Sequence, residues 1–206
     1  DQTDTKKLGD LQLGGMFNLF RLRNIAAHGQ LGLSLPTGSI DERQVTNHGS
    51  LKLPYMMQLG SGTVDLMPGV TVLWQLPKFS GGVQSIETFR TGKNKNGYRL
   101  GNHFGANAWV ARRFGQYLSI SVRSELHYQT RMEGQDPEIS NVLLIPDGMH
   151  IACSVGANFR FGCGFLKGHR LGVEAAAPVY YSSDLNRQRT NWEVSGGWQK
   201  SQKVRW

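Results

Sequence analysis

The chain has 206 residues, 23 Lys+Arg against 15 Asp+Glu, a formal net charge of +8, and 26 glycines. With only 18% charged residues, this composition excludes a coiled coil, a charged disordered tail and an Ala/Leu/Glu-rich helical bundle. The longest clean apolar block is 142–145, far below the ~18 residues of a membrane-spanning helix. A membrane β-barrel stays open, because its strands never show continuous hydrophobicity.

Taken in chain order, the apolar residues repeat with period two, the alternation of a strand whose successive side chains point to opposite faces. Nine strands are predicted, over 8–21, 28–36, 62–76, 81–91, 99–113, 116–131, 149–162, 167–178 and 190–206. Leu118, Ile120, Val122 and Leu126 alternate with Ser119, Ser121, Arg123, Glu125 and His127. Val155, Ala157 and Phe159, and later Leu171, Val173 and Ala175, repeat the pattern. Only 106–114 is ambiguous between strand and helix. The joins carry turn chemistry, such as Asn96-Gly97 and Phe114-Gly115-Gln116. Some are tight, whereas 37–60, 132–148 and 179–189 are long and polar. Short turns at one end and long loops at the other are expected of a membrane barrel. The expected architecture is one all-β domain over 1–206, an antiparallel up-and-down transmembrane β-barrel.

The positive charge is spread along the chain rather than gathered on one helix or stripe, so nucleic acid is not an expected partner. The one dense group, Lys93-Asn94-Lys95-Asn96-Gly97, reads as a solvated turn. Cys153 and Cys163 would stand about 33 Å apart on one extended strand, too far for a disulfide without a turn between them. The opening Asp1-Gln2-Thr3-Asp4 has no leader pattern and reads as a mature or trimmed start.

Alternation alone does not say whether the apolar face meets a core or lipid. Strands of 12–16 residues exceed the 9–11 that span a bilayer. Glycine is frequent inside them, where it would weaken a soluble sheet. Trp74, Trp109, Trp192, Trp198, Tyr117 and Tyr128 fall near strand ends, as interfacial girdles would place them. These features favour lipid. The alternative is a soluble lipocalin-like binding barrel.

The strings Leu31-Gly-Leu-Ser-Leu-Pro-Thr-Gly-Ser-Ile-Asp41 and Leu53-Pro-Tyr-Met-Met-Gln-Leu-Gly-Ser-Gly-Thr-Val-Asp-Leu-Met-Pro-Gly69 resemble a family of bacterial outer-membrane, transporter-like proteins of the phenol meta-pathway degradation type. Shorter matches include Asn96-Gly-Tyr-Arg-Leu-Gly101, Gly168-His-Arg-Leu-Gly-Val-Glu174 and Gly197-Trp-Gln199. The resemblance runs from Leu8 to the C-terminus. It implies a passive channel or uptake barrel for small solutes in the bacterial outer membrane, with lipid and lipopolysaccharide around it. The resemblance implies longer family members, and with them the expectation that this chain is the C-terminal two-thirds of a barrel of about twelve strands. The alternative within the envelope is a non-transporting barrel that scaffolds protein partners.

No HExxH, GxSxG, P-loop or GxGxxG motif occurs, so no catalytic residue, metal site or cofactor is expected. The six histidines lie on separate segments without metal-ligand spacing. Met56-Met57 reads as a loop-packing pair rather than a soft-metal site. The candidate site is a lumen lining of Asp65, Arg123, Glu125, Arg160, Arg170 and Glu174, either an ion-paired wall or a ring that sets solute preference. Facing strands should make at least one Arg–Glu contact among them, with Glu174 the foremost candidate. Leu118, Ile120, Val122, Val155, Phe159, Leu171 and Val173 should face lipid.

Overall fold

The computed structural model describes residues 7–46, 49–140, 144–182 and 191–200. Among the described residues thirteen strands are formed: β1 (Leu11–Arg21), β2 (Ile25–Leu35), β3 (Arg43–Thr46), β4 (Gly49–Lys52), β5 (Asp65–Gln75), β6 (Phe79–Arg90), β7 (Tyr98–Arg99), β8 (His103–Phe114), β9 (Leu118–Gln129), β10 (Glu133–Gly134), β11 (Gly148–Arg160), β12 (His169–Ser182) and β13 (Glu193–Lys200). A single 3₁₀ turn, Tyr55–Met57, is the only helical element among the described residues.

Nine of these strands make one antiparallel sheet in the order β1-β2-β5-β6-β8-β9-β11-β12-β13. Each long strand pairs with the next long strand in the chain, which is an up-and-down meander. Every one of the nine predicted strands has its counterpart here, including the ambiguous 106–114, which lies in β8. Residues 190 and 201–206 of the last predicted strand lie outside the described residues.

The sheet is not closed. Among the described residues β1 and β13 pair on one side only, and both are exposed along their whole length. This corrects the expectation of a closed barrel within this chain. The physical reason is that closure depends on strand number and shear, and a period-two pattern encodes neither.

The joins separate by length, although of the predicted long loop 179–189, 179–182 belong to β12 and 183–189 lie outside the described residues. Turns 22–24, 76–78 and 115–117 lie at one end of the sheet together with 161–168, whereas 36–64, 91–102 and 130–147 lie at the other. The turn at 115–117 needs Gly115, whose φ of 64° is left-handed and unfavourable for a residue with a Cβ.

The buried apolar core does not lie against the long strands. Tyr55, Tyr98, Met132, Ile139 and Ile145 form it, and all five come from the long-loop end. The rings of Tyr55 and Tyr98 meet edge to face at 4.7 Å. Lys52 is buried beside them and forms ion pairs with Asp41 at 2.6 Å and Asp136 at 2.7 Å. The pairs β3–β4 and β7–β10 brace this cap. Two expectations are corrected here. Lys93–Gly97 is a turn, with Gly97 at φ 83°, but Asn94 is buried and donates to the Ser61 carbonyl. Of the Tyr55-Met56-Met57 run, Tyr55 does the packing and both methionines are exposed. Cys153 in β11 and Cys163 beyond it are free thiols.

Candidate functional site

Register fixes which side chains share a face of the sheet. Ser154 pairs with Arg123, and Arg123 with Trp109. Asn107 lies between Gln84 and Glu125. Following these rows across the sheet puts Asp65, Arg123, Glu125, Arg160, Arg170 and Glu174 on a single face. That polar face is the more enclosed one: Ser34, Thr71 and Ser154 are buried there. On the opposite face Val122 is 52% exposed and Val155 59%. Ile120, Phe159 and Val173 are exposed with them, and Leu118 and Leu171 share their face. A soluble sheet of this kind would bury the apolar parity; here the parity is inverted.

The apolar face is framed by aromatic rings. Near the long loops, Phe89, Phe104 and Tyr128 follow one another across three strands, with centroids 5.8 and 6.1 Å apart. Near the turns, the Arg112 guanidinium lies over the rings of Phe79 and Phe114, and Trp198 stacks on Phe161. Phe104 and Phe114 are separated by about 34 Å along β8, or about 26 Å along the normal at a barrel's usual tilt of about 40°. Of the girdle residues expected from sequence, Trp74, Tyr128 and Trp198 belong to this face. Trp109 does not. It lies on the polar face over Gly82, where an added Cβ would come within 2.6 Å of the indole.

The polar face carries two ion-pair centres. Arg123 bridges Glu125, at 2.9 Å, and Glu174. Asp65, fully buried at the rim of the cap, pairs with Arg90 and accepts from Thr63 Oγ1 at 2.6 Å and Ser61 Oγ at 3.1 Å. The remaining two predicted residues behave differently. Arg160 and Arg170 are direct cross-strand neighbours and have no carboxylate partner among the described residues. Arg170 Nε instead donates to Asn158 Oδ1 at 3.1 Å. They line a cavity of about 390 Å³ near the turns, together with Arg113, Lys78, Trp109 and Ser119.

A histidine row spans the same face. His127 pairs in register with His150, and His150 with Tyr181. Ring centroids are 5.5 Å apart for His103–His127, 6.1 Å for His127–His150 and 4.4 Å for His150–Tyr181. His103 and His127 line a smaller cavity of about 220 Å³ with Glu125 and Asn107. Sequence reading missed this row because the residues are more than twenty positions apart. The usable signal is parity within a strand: His127 shares that of Arg123 and Glu125, and His150 that of Arg160. Among the described residues no group of three or more His, Cys, Asp or Glu side chains is arranged to hold a metal ion.

Charge is segregated along the strands. The turn-proximal segments 20–27, 72–83, 109–122, 155–173 and 196–200 contain nine Lys or Arg and no Asp or Glu. At the opposite end the charges are mixed and largely paired, as in Lys52–Asp41, Lys7–Glu42 and Arg99–Glu133. No protein-family model and no curated protein matches the chain.

Proposed function

We propose that this protein is a β-barrel of the bacterial outer membrane that passes small solutes, as its resemblance to the phenol meta-pathway type of transporter implies. The observation that supports this most is the inverted parity. Val122, Val155 and their neighbours are exposed between two aromatic rows, while the ion-paired residues occupy the enclosed face. Water disfavours such a surface at about 25 cal/mol per Å² of apolar area, whereas hydrocarbon accepts it. The spacing of the aromatic rows fits the apolar band of about 25 Å on outer-membrane barrels.

In this reading the turn end faces the periplasm and the cap faces outward. The edges of β1 and β13, unpaired among the described residues, would then be covered by further β-structure, in keeping with the barrel of about twelve strands that the resemblance implies. An unpaired edge in hydrocarbon would leave each N–H and C=O at a cost of several kcal/mol. Asp65, Arg123, Glu125, Arg160, Arg170 and Glu174 then line the lumen.

The test is reconstitution of the full-length protein from detergent into liposomes. Solute-dependent swelling, with a folded band that shifts on boiling, is the expected result. A detergent-free, soluble monomer would overturn the membrane assignment. A folded, vesicle-inserted but impermeable barrel would support the scaffold alternative.

A further inference from the structure

The lumen charges fall into two classes, and the difference bears on what the channel carries. Glu125 and Glu174 are both engaged by Arg123, and Asp65 by Arg90. No carboxylate lies in the turn-proximal segments to answer the cations there. There Arg113, Arg160, Arg170 and Lys78 line one cavity of about 390 Å³ with Ser119, Ser121, Asn158 and Gln116. Arg113 is in register with Ser119, Ser119 with Asn158, and Arg160 with Arg170. The cluster is therefore laid across four adjacent strands rather than strung along one. Two like charges directly opposite each other destabilise a sheet. Two of the arginines are engaged by neutral hydrogen-bonding groups: Arg170 donates to Asn158 Oδ1, and Arg113 donates to the Pro77 carbonyl at 2.5 Å. These contacts orient the guanidinium groups without neutralising them. An anion is the complement that removes the repulsion and fills the donor set, and guanidinium forks match carboxylate and phosphate oxygens.

We infer that this cavity is an anion site at the periplasmic mouth of the channel, so that the solutes passed are small carboxylates or phosphates rather than neutral aromatics or cations. The inference rests on the channel reading and adds the solute class to it. Rings of one sign of charge select permeant ions in pores, and a low-dielectric wall focuses their field. The Arg123 cluster nearer the middle sets one cation against two carboxylates, a formal −1 against the four cations at the mouth. The same phosphate chemistry could be supplied by a lipid headgroup at the membrane surface, and the test separates the two sources.

Two measurements decide the matter. In planar bilayers under a KCl gradient, the full-length protein should show a reversal potential of anion selectivity. The Arg160→Gln/Arg170→Gln double variant should move it several-fold towards unselective conductance. Arg131→Gln, at the loop end, should leave it unchanged. Cation selectivity, or a double variant with wild-type selectivity, would overturn the inference while leaving the channel reading intact. The second measurement needs no conductance. Phenylglyoxal modification of the detergent-folded protein, mapped by mass spectrometry, should be suppressed at Arg113, Arg160 and Arg170 by inorganic phosphate, and not at Arg131. Suppression there in a barrel that does not conduct would refute the channel and keep the anion site. Absence of protection by phosphate would refute the site. Protection seen only in phosphatidylglycerol vesicles, and not with phosphate in detergent, would assign the cations to lipid headgroups and overturn the solute proposal.

Discussion

Arg123 of β9 and Glu174 of β12 form an ion pair although their strands are not neighbours; β11 lies between them. The bridge passes over Ser154, the register partner of Arg123, and Gly156, the register partner of Glu174. A Cβ at Gly156 would stand 2.8 Å from Ser121 Oγ and 3.5 Å from Glu174 Oε2. Small residues on the middle strand are thus what lets two long side chains meet. The expected Arg–Glu contact at Glu174 is present, but it skips a strand instead of joining adjacent ones.

Gly156→Leu should therefore loosen the Arg123–Glu174 pair without adding or removing a charge. Both partners are partly exposed, so the electrostatic loss is about 0.5–1 kcal/mol, with crowding against Ser121 added to it. The boiling-shift midpoint of the folded band should fall. Glu174→Gln should fall less, because Glu125 continues to hold Arg123. Equal midpoints for Gly156→Leu and wild type would refute the account.

Val122→Arg and Ser121→Arg are adjacent substitutions on opposite faces. In the membrane reading, Val122→Arg puts a charge against hydrocarbon at a cost of about 2–4 kcal/mol near the midplane, whereas Ser121→Arg enters the polar lining. Assembly yield into lipid vesicles should drop sharply for Val122→Arg alone. Equal yields would mean that the faces, or the membrane, are misassigned.

Lys52→Ala should detach the cap while the sheet survives. Lys52 and Asp136 are each 3% exposed, and stripping one partner from a buried pair costs about 3–5 kcal/mol. Limited proteolysis should then cut within 130–147, while the boiling shift of the barrel persists. Protection of that loop equal to wild type would show that the apolar cluster alone holds the cap.

The cap should also respond to pH at both extremes. Hydrogen bonds from Lys52, Lys95 and Asn96 hold the Asp41 carboxyl well below its ordinary value of 3.8. Its contribution is full above that value and is lost as pH falls through the depressed pKa. Burial opposes the charge on Lys52, but its hydrogen bonds to Asp136 and Asp41 prevail and raise its pKa above 10.5. Burial likewise raises Tyr98 above 10.0. Contributions from these two are full below their ordinary values and fade as pH rises through the raised ones. Proteolytic protection of 130–147 should be flat between about pH 4 and 10 and fall outside that window. A fall near pH 6 to 7 would indict a histidine instead.

Local alternation in this chain determines a good deal. The parity of Leu118–Gln129 and Gly148–Arg160 sets which side chains share a face, because a strand has only two faces and no register can mix them. The segregation of turns and loops follows from residues such as Gly115 and from join length. Alternation does not say which face is enclosed, since that is a matter of sheet curvature. Val122 and Ser121 exchange environments if the curvature reverses. Nor does it show that Tyr55, Tyr98 and Met132, drawn from three separate joins, make a compact core; such a contact depends on loop closure over long separations. Scattered cations such as Arg113, Arg160 and Arg170 look unrelated along the chain. Only the stacking of hairpins, which returns every second join to the same end, gathers them around one cavity and turns a diffuse net charge into a local field.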